Sequence, residues 1–392
     1  DNDKDGKVNE DGEAGYDLNR NYPEGWFTPD GYQGGTGDYA TSAPETHAVA
    51  EFFVNHPNIH QAQFFHTSGG FTYRPMGSSS DATMHPDDIA VYDYVLGKKY
   101  VELLGEKLPP AWEFPDSLDV YKRNLKDSKN KYAAKRGYEM PTGWVVSWNE
   151  KEDKRYSFGL QADWAYMQLG IFSLTTELFS YRRDLPGQKF TGKTARADFE
   201  KAAIKYQEDN YGGKYFLDWK PAKSDEHGEG EVGGWVTQYG SNNAFPGEML
   251  ENICETHWQY EKYRASLMPR VKIVSATGKV LEKDGKNTIV EIKVKVENTG
   301  QMSTHLGQGQ RLPLNRQDVV WLIGNRDKVE FLQGKPWQQL GYMNGKMKVP
   351  GLKPKKGNGE VKWLVRVKGN EDLKVVVSSQ RGGTVVQKVE FK

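Results

Sequence analysis

The segment "GYDLNRNYP" at residues 15–23 places an asparagine and an arginine side by side, Asn19 and Arg20, between a strand-like start and a proline. A guanidinium offers a planar fork of hydrogen-bond donors, and a carboxamide adds another donor. The pair could therefore clamp a carboxylate. A solvated surface loop carrying two polar residues is the alternative interpretation.

Two ionisable residues each end an apolar segment. His66 follows "QAQFF" and precedes a glycine turn, and Glu177 follows "GIFSLTT". An ionisable group at the end of a buried strand is well placed to point into a cleft. There, the imidazole could bind a metal and the carboxylate could act as a general base. Taken singly, each residue also fits a structural role, as a hydrogen-bonded histidine or a strand-end cap.

Alternating helical and strand patterns predict the elements that must position these residues. The strand patterns lie at 61–70 and within 165–181, while the helical patterns lie at 42–56, 86–107, 194–210 and 247–267. Ser42 and Glu45 have the spacing of a capping box before the first helix. His85 is interpreted as a helix-start residue. We predict an α/β fold with a mixed β-sheet flanked by helices.

The pattern changes after Pro269. Runs such as "NTIVEIKVKVENTG" and "VKWLVRVKG" alternate apolar and polar residues and are separated by Gly or Asn turns. Period-two runs without intervening helices are typical of an antiparallel β-sandwich. We therefore predict two domains, residues 1–268 and an Ig-like β-sandwich at residues 269–392.

Composition excludes several classes of protein. The 392 residues contain 53 Lys plus Arg and 53 Asp plus Glu, so no charge excess favours nucleic acid or a membrane surface. Cys254 is the single cysteine, which excludes an internal disulfide. No apolar run reaches the roughly 18 residues needed to span a bilayer. The sequence begins at Asp1 without Met and shows no signal peptide.

Taken together, the segments "DLNRNYP", "FFHTSGG" and "LTTEL" resemble those of the zinc metallocarboxypeptidases. The resemblance is to the carboxypeptidase A/B-like family, especially its bacterial multidomain members, and covers about residues 1–265. It implies a Zn2+ cofactor, a peptide substrate with a free C-terminus, and removal of C-terminal residues by a metal-activated water. It also implies a secreted or periplasmic enzyme.

The resemblance assigns a role to each matching residue. It implies that Asn19 and Arg20 bind the terminal carboxylate of the substrate and that His66 is a zinc ligand. Glu177 would be the catalytic base that activates water. Tyr156, which lies 21 residues before Glu177, would cap the substrate and contribute to catalysis.

The family's upstream His-x-x-Glu metal motif is missing from the sequence. None of the eight histidines is followed by Glu three positions later, and no arginine precedes Arg20 to polarise the scissile carbonyl. A catalytic zinc site normally uses three protein ligands. We therefore expect this chain to be N-terminally incomplete, with the missing segment of the same precursor as a partner; a degenerate relative that has lost its metal is the alternative.

The first residues, "DNDKDGKVNEDG", resemble part of an EF-hand calcium loop. Asp1, Asp3 and Asp5 have the spacing of calcium ligands, Gly6 stands where such loops turn sharply, and Val8 is aliphatic. Gly12 stands where a bidentate Glu is expected. The segment thus predicts a Ca2+ site, with a solvated acidic loop as the alternative.

Two other functions remain open at this stage. One is a non-catalytic relative that binds peptide C-termini, and the other is a zinc amidase that acts on cell-wall peptides. Glu177 favours catalysis, because a pure binding module has no need of a base. In the family, the residue before the Asp-Trp pair lines the specificity pocket. Here it is Ala162, which argues against an acidic pocket for basic side chains.

Overall fold

The computed structural model describes residues 16–27, 34–68, 71–79, 81–98, 145–146, 157–179, 195–225, 228–235 and 250–391. The predicted calcium ligands Asp1, Asp3 and Asp5 and the predicted capping residue Tyr156 lie outside these residues. For Glu177 the structure describes the backbone and its strand pairing.

In the described residues, the N-terminal part is built around a four-stranded sheet. Its strands are β1 (Gln61–Ser68), β2 (Phe71–Tyr73), β3 (Val145–Val146) and β4 (Phe172–Phe179), arranged in the order β1-β4-β2-β3. The pairs β1–β4 and β2–β3 are parallel, while β2–β4 is antiparallel. The sheet is therefore mixed, as the sequence predicts, and its apolar β1 and β4 occupy adjacent positions.

Helices accompany this sheet. They are α1 (Pro44–Asn55), α2 (Pro86–Tyr92), which continues as a π-helical segment (Asp93–Lys98), α3 (Gln161–Leu169), α4 (Ala195–Tyr211) and α5 (Leu250–Ser266). Short 3-10 turns lie at Leu18–Arg20 and Asp81–Thr83. The sheet and helices confirm the α/β class. No helix in the described part of the chain is long and apolar enough to cross a membrane.

Two local predictions have opposite outcomes. His85 is the N-cap of α2, where its Nδ1 accepts a hydrogen bond from the Asp87 amide at 3.2 Å, so its interpretation as a helix-start residue is confirmed. The prediction of a capping box at the start of α1 is wrong. Ala43 is the N-cap, and the Ser42 hydroxyl instead accepts a hydrogen bond from Asn21.

The remaining strands lie after α4. An antiparallel hairpin is formed by β5 (Phe216–Ser224) and β6 (Gly228–Trp235). After Pro269 follow β7 (Val271–Asp284), β8 (Asn287–Asn298), the short helix α6 (Gly307–Gln310), β9 (Asp318–Ile323), β10 (Val329–Gln333), β11 (Trp337–Gly341), β12 (Asn358–Lys368), β13 (Lys374–Ser379), β14 (Gly383–Lys388) and β15 (Glu390–Phe391).

These C-terminal strands form two sheets, ordered β10-β12-β8-β7-β15 and β11-β9-β13-β14. All pairs are antiparallel except β15–β7, which is parallel at the edge of the first sheet. Alternate residues of the long strands are buried, as in β12, where Val361, Trp363 and Val365 enter the core. The period-two pattern of the sequence thus becomes an apolar face on each sheet, and both faces contribute to one cluster.

The C-terminal part also caps helix α3. The Arg381 guanidinium donates hydrogen bonds to the carbonyls of Leu169 and Gly170, and Asn315 Nδ2 donates to the Leu169 carbonyl at 3.2 Å. The last carbonyls of a helix have no partner within the helix. Side chains from far along the sequence therefore satisfy the end of α3.

A buried carboxylate makes another connection between the two parts. Asp88 on α2 accepts hydrogen bonds from the amides of Gly307 and Gln308 at 2.7 and 2.8 Å and from the Tyr166 hydroxyl at 2.9 Å. Burial raises the pKa of Asp88 above its usual range. One side chain thereby joins α2, α3 and the start of α6.

Candidate active site

A cleft of about 260 Å³ opens beside the carboxyl end of β1. Its lining comes from four separated segments of the chain: the 3-10 turn with Asp17, residues 66–77 from β1 through the segment after β2, residues 157–163 at the start of α3, and β4. The lining residues are Asp17, Asn19, Arg20, His66, Tyr73, Arg74, Gly77, Ser157, Leu160, Ala162, Asp163 and Thr175. The cleft therefore brings together three of the residues singled out from the sequence, Asn19, Arg20 and His66.

Glu177 is directly beside His66 in the sheet. In the parallel pairing of β1 with β4, His66 is in register with Glu177, and in the antiparallel pairing Phe71 is in register with the same Glu177. The two predicted ionisable residues, 111 positions apart in sequence, thus have adjacent backbones at one end of the sheet.

Arg20 is held on the wall of the cleft by its own turn. Its Nη1 donates to the Asn19 carbonyl at 2.7 Å, and its Nε lies 3.8 Å from the Asp17 carboxylate. The Arg20 side chain keeps 25% of its surface exposed. Asp17 also caps the turn by accepting a hydrogen bond from the Asn19 amide at 3.0 Å. The guanidinium is therefore oriented in advance while part of it still faces the cleft.

Asn19 is oriented by helix α3. Its Oδ1 accepts a hydrogen bond from the amide of Gln161, the first residue of α3, at 2.9 Å. Early helix amides have no intrahelical partner, so this contact satisfies one of them. With the oxygen fixed in this way, the Asn19 Nδ2 has no hydrogen-bond partner among the described residues. Its two hydrogens are available to an acceptor in the cleft.

Asn21 connects the 3-10 turn to residues 36–46 through its side chain. The sequence interpretation gave it no role. Its Oδ1 accepts from the Ala43 amide at 3.1 Å and from the Thr46 hydroxyl, while its Nδ2 donates to the Thr36 and Tyr39 carbonyls. Asn21 is fully buried. A polar side chain between Arg20 and Tyr22 gives no local signal of burial, because its partners lie 15 to 25 residues away.

Gly159 brings the loop before α3 against the 3-10 turn Leu18–Arg20 and the residues that follow it. Its carbonyl accepts from the Tyr22 amide at 3.0 Å, and its own amide donates to the Glu24 carbonyl at 3.0 Å. A Cβ at this position would lie 2.2 Å from the Arg20 carbonyl oxygen, and the φ of +68° belongs to the left-handed region. Only glycine permits this close approach of two backbones.

We predict that Gly159→Ala displaces the turn that carries Asn19 and Arg20 as well as lowering stability. The matched control is Gly212→Ala, because Gly212 has the same φ of +68° and no atom within 4 Å of a Cβ. The control should cost about 1 kcal/mol from backbone strain alone. Gly159→Ala should cost more and should weaken binding of a peptide with a free C-terminus. Thermal melts and peptide titrations check this, and equal losses in both variants would contradict it.

His66 is half-buried close to the Arg20 cation. Burial lowers the pKa of His66 below its usual range, the positive charge of Arg20 lowers it further, and Asp17 acts in the opposite direction. The imidazole is therefore neutral near pH 7. The neutral form is the one that can ligate a metal.

Asp163 fixes the opposite wall. Its carboxylate accepts from the Gly77 amide at 2.9 Å and from the amide and hydroxyl of Ser78 at 2.8 and 2.7 Å. Burial raises its pKa to about 6, although these hydrogen bonds act to lower it. The sequence interpretation used its neighbour Ala162 and gave Asp163 no role. In the structure, Ala162 lines the cleft, as the resemblance implies for the residue before the Asp-Trp pair.

A family model described as zinc carboxypeptidase matches residues 2–199, just over half of the chain. The chain belongs to the zinc carboxypeptidase family. The matched range contains Asn19, Arg20, His66, Tyr156 and Glu177. A second model, described as a domain of unknown function (DUF8731), matches residues 270–390.

Other comparisons add no functional information to the family assignment. A search of the curated proteins gave no significant match. Two solved structures are similar over 32% of this chain: a Bacillus subtilis protein described as a lipoprotein, and a GH20 exo-β-N-acetylglucosaminidase from Vibrio harveyi in complex with N-acetylglucosamine. Their identities are 14% and 11%, their TM-scores 0.18 and 0.14, and the matches cover 37% and 18% of those chains.

The donor set for the family's zinc is incomplete within the described residues. His66 suits the metal by residue type and neutral charge, but a catalytic zinc needs three protein ligands. No group of three or more His, Cys, Asp or Glu that could hold a metal ion occurs in the part of the chain that the structure describes. The described residues alone therefore do not supply a complete set of zinc ligands.

Metal analysis of the native protein tests the role of His66. We expect His66→Ala to lose most of any bound zinc, because one of three ligands is removed. His56→Ala is the matched control, since His56 is an exposed histidine at the end of α1 whose Nδ1 contacts the Phe52 carbonyl. A His66→Ala protein that keeps its full zinc content would contradict the assignment.

Proposed function

We propose that the protein is a zinc-dependent carboxypeptidase that hydrolyses C-terminal residues from peptides, with substrate bound in the cleft beside β1. The observation that carries the proposal is the convergence of Asn19, Arg20 and His66 on one cleft. Membership of the zinc carboxypeptidase family supports the same class of reaction. The site roles below are part of this proposal.

Asn19 and Arg20 recognise the terminal carboxylate. Asn19 presents its Nδ2 hydrogens because its oxygen is bound to the start of α3, and Arg20 adds positive charge and further donors. Arg suits this task because its planar fork can form two parallel hydrogen bonds with a carboxylate. Asp17 holds the guanidinium in position and partly neutralises it until the substrate arrives.

Glu177 acts as the general base. Support comes from the position of its backbone in register with His66, next to the cleft. A carboxylate there would take a proton from the attacking water and pass it to the leaving amine. Zinc, when bound, would polarise the scissile carbonyl and lower the pKa of water. Tyr156 would close over the substrate.

The cleft favours a neutral C-terminal side chain. Each acidic residue on its wall already has a partner: Asp163 binds Gly77 and Ser78, and Asp17 lies beside Arg20. Arg74 is buried, and its Nε lies 3.4 Å from Asp93. No described residue of the wall therefore offers an unpaired carboxylate for a lysine or arginine side chain.

Peptide cleavage by the native protein with zinc tests the proposal. A peptide with a free C-terminus should lose its last residue, and its C-terminally amidated twin should be resistant. Equal cleavage of both would favour the amidase or an endopeptidase. Binding of the free acid without cleavage of either peptide would favour the non-catalytic relative. A peptide ending in Lys should be a poorer substrate than one ending in Leu.

We also propose that Asp1, Asp3 and Asp5 bind Ca2+ with a carbonyl near Lys7. A ligand that binds only the native state raises its stability by mass action. Adding Ca2+ to protein that has been treated with a chelator should therefore raise the melting temperature. Mg2+ serves as the control, because it requires stricter ligand geometry and binds poorly to flexible sites of oxygen ligands. An unchanged melting temperature across the Ca2+ titration would favour the solvated loop.

The proposal also includes expectations about the domain boundary, the packing of the C-terminal sheets and the location of the protein. The domains would divide near residue 269. The two C-terminal sheets would pack as a β-sandwich, and the apolar cluster that both sheets share, which includes the buried Trp363, supports this packing. An experimental structure of the native protein would test it. Secretion or a periplasmic location is proposed from the resemblance, and cell fractionation would test it.

A further inference from the structure

A second groove lies between the two parts of the chain, away from the residues proposed to act on peptides. It has a volume of about 340 Å³, at the lower end of the range for ligand pockets. One side comes from α2 and the residue before it, and the other side comes from residues 301–310, which include α6, and from the loop at 344–355. Apolar residues from both parts line it: Val91, Met302, Leu306, Met347, Val349 and Leu352.

The loop on one rim is strongly basic. Its sequence at residues 346–356, "KMKVPGLKPKK", contains five lysines and no acidic residue, in a chain whose positive and negative charges are equal overall. Two of the five are paired: Lys346 with Glu297 at 2.5 Å, and Lys355 with Asp87 at 2.6 Å. These pairs hold the two ends of the loop.

The other three lysines of the loop have no such partners. Lys348 and Lys353 line the groove, Lys356 follows it, and all three are exposed without an ion pair to any described residue. The acidic residues of the groove cannot neutralise them. Asp87 is paired with Lys355, and Asp88 is buried and bound to the amides of Gly307 and Gln308. The rim therefore carries a net positive charge over an apolar floor.

A basic rim over an apolar floor favours a ligand that carries both negative charge and apolar side chains. An inorganic anion would leave the apolar floor uncovered, and a purely aliphatic ligand would leave the lysines unmatched. In an extended peptide, successive side chains point to opposite sides, so acidic and aliphatic residues in alternation could meet the rim and the floor at once. We propose that the groove binds an acidic segment of a partner protein that alternates carboxylate and leucine-like side chains. The proposal does not depend on peptidase activity.

Fluorescence anisotropy with a defined probe tests this inference. The probe is a fluorescein-labelled peptide of alternating Glu and Leu, amidated at its C-terminus so that a carboxypeptidase would not shorten it. It should bind measurably at low salt and weaken as salt is added, because exposed charges are screened. A Lys-Leu peptide of the same length should not bind, and a Glu-Ser peptide should bind at least fivefold more weakly.

Two double variants locate the site. Lys348→Glu with Lys353→Glu should weaken binding of the Glu-Leu probe at least tenfold. Lys272→Glu with Lys374→Glu is the matched control, because both of these lysines are exposed on strands of the C-terminal sheets and have no ion pair to a described residue. The control should bind the probe like the wild type. Equal losses in the two double variants, equal binding of the Glu-Ser peptide, or no binding of the Glu-Leu probe at millimolar concentration would each overturn the proposal.

Discussion

Glu177→Gln should reduce kcat about a thousandfold while leaving KM for a free-acid peptide within a few-fold of the wild-type value. The substitution preserves the shape of the side chain and removes its ability to accept a proton. General base catalysis typically contributes about 10²- to 10⁴-fold to a rate. Substrate binding is expected to survive because the residues proposed to bind the terminal carboxylate, Asn19 and Arg20, lie on a different segment of the cleft wall. Steady-state kinetics with the native, zinc-loaded protein measures both constants.

A matched control separates this effect from general damage. Glu45→Gln makes the same chemical change at an exposed position in the first turn of α1 and should leave kcat unchanged. A Glu177→Gln protein that retains kcat within about fivefold would show that another group carries the proton. Loss of peptide binding in the same variant would instead indicate a structural role for Glu177.

Replacing Arg20 should have a different signature. Arg20→Ala should lower kcat/KM for a free-acid peptide by on the order of 10²-fold, equivalent to about 3 kcal/mol and within the range for losing one partner of a charged hydrogen-bonded pair. The residual activity on the amidated peptide should not change, because that peptide has no carboxylate to lose. The ratio of the two rates is the decisive measurement.

Two further variants sharpen the assignment. Arg20→Lys should recover only part of the discrimination, since an ammonium keeps the charge but cannot form the two parallel bonds of a guanidinium. Arg326→Ala removes an exposed arginine of the C-terminal part and should have no effect. Unchanged preference for the free acid in Arg20→Ala would remove Arg20 from the clamp.

The sequence predicted those features of the fold that depend on local periodicity. The strand at Gln61–Ser68, the helices at Ala195–Tyr211 and Leu250–Ser266, and the change of pattern after Pro269 all follow from period-two or helical patterns. The strand predicted within residues 165–181 is confirmed at Phe172–Phe179, while residues 165–169 belong to α3, a helix that was not predicted. Continuous apolar runs cannot distinguish a buried helix from a buried strand by pattern alone.

The site was predicted only in part, for a related reason. Asn19, Arg20 and His66 are recognisable from residue type and short spacing, and the structure places them on one cleft. The residues that support them depend on distant partners. Asp163 binds an amide 86 positions away, and Gly159 is needed because the backbone of Arg20 lies against it. No local pattern in the sequence encodes such proximity.

The contacts that Asp88 and Arg381 make between the two parts of the chain limit how those parts could be exchanged, in evolution or in the laboratory. Exchanging the part from residue 270 onward for an unrelated one would leave the Asp88 carboxylate without the amides of Gly307 and Gln308. The end of α3, whose first turn orients Asn19, would also lose the guanidinium of Arg381. Each buried polar group left without a partner costs about 1–3 kcal/mol. Exchanging one part alone should therefore lower stability, and a successful chimera would have to transfer Asp88 with the segment that binds it.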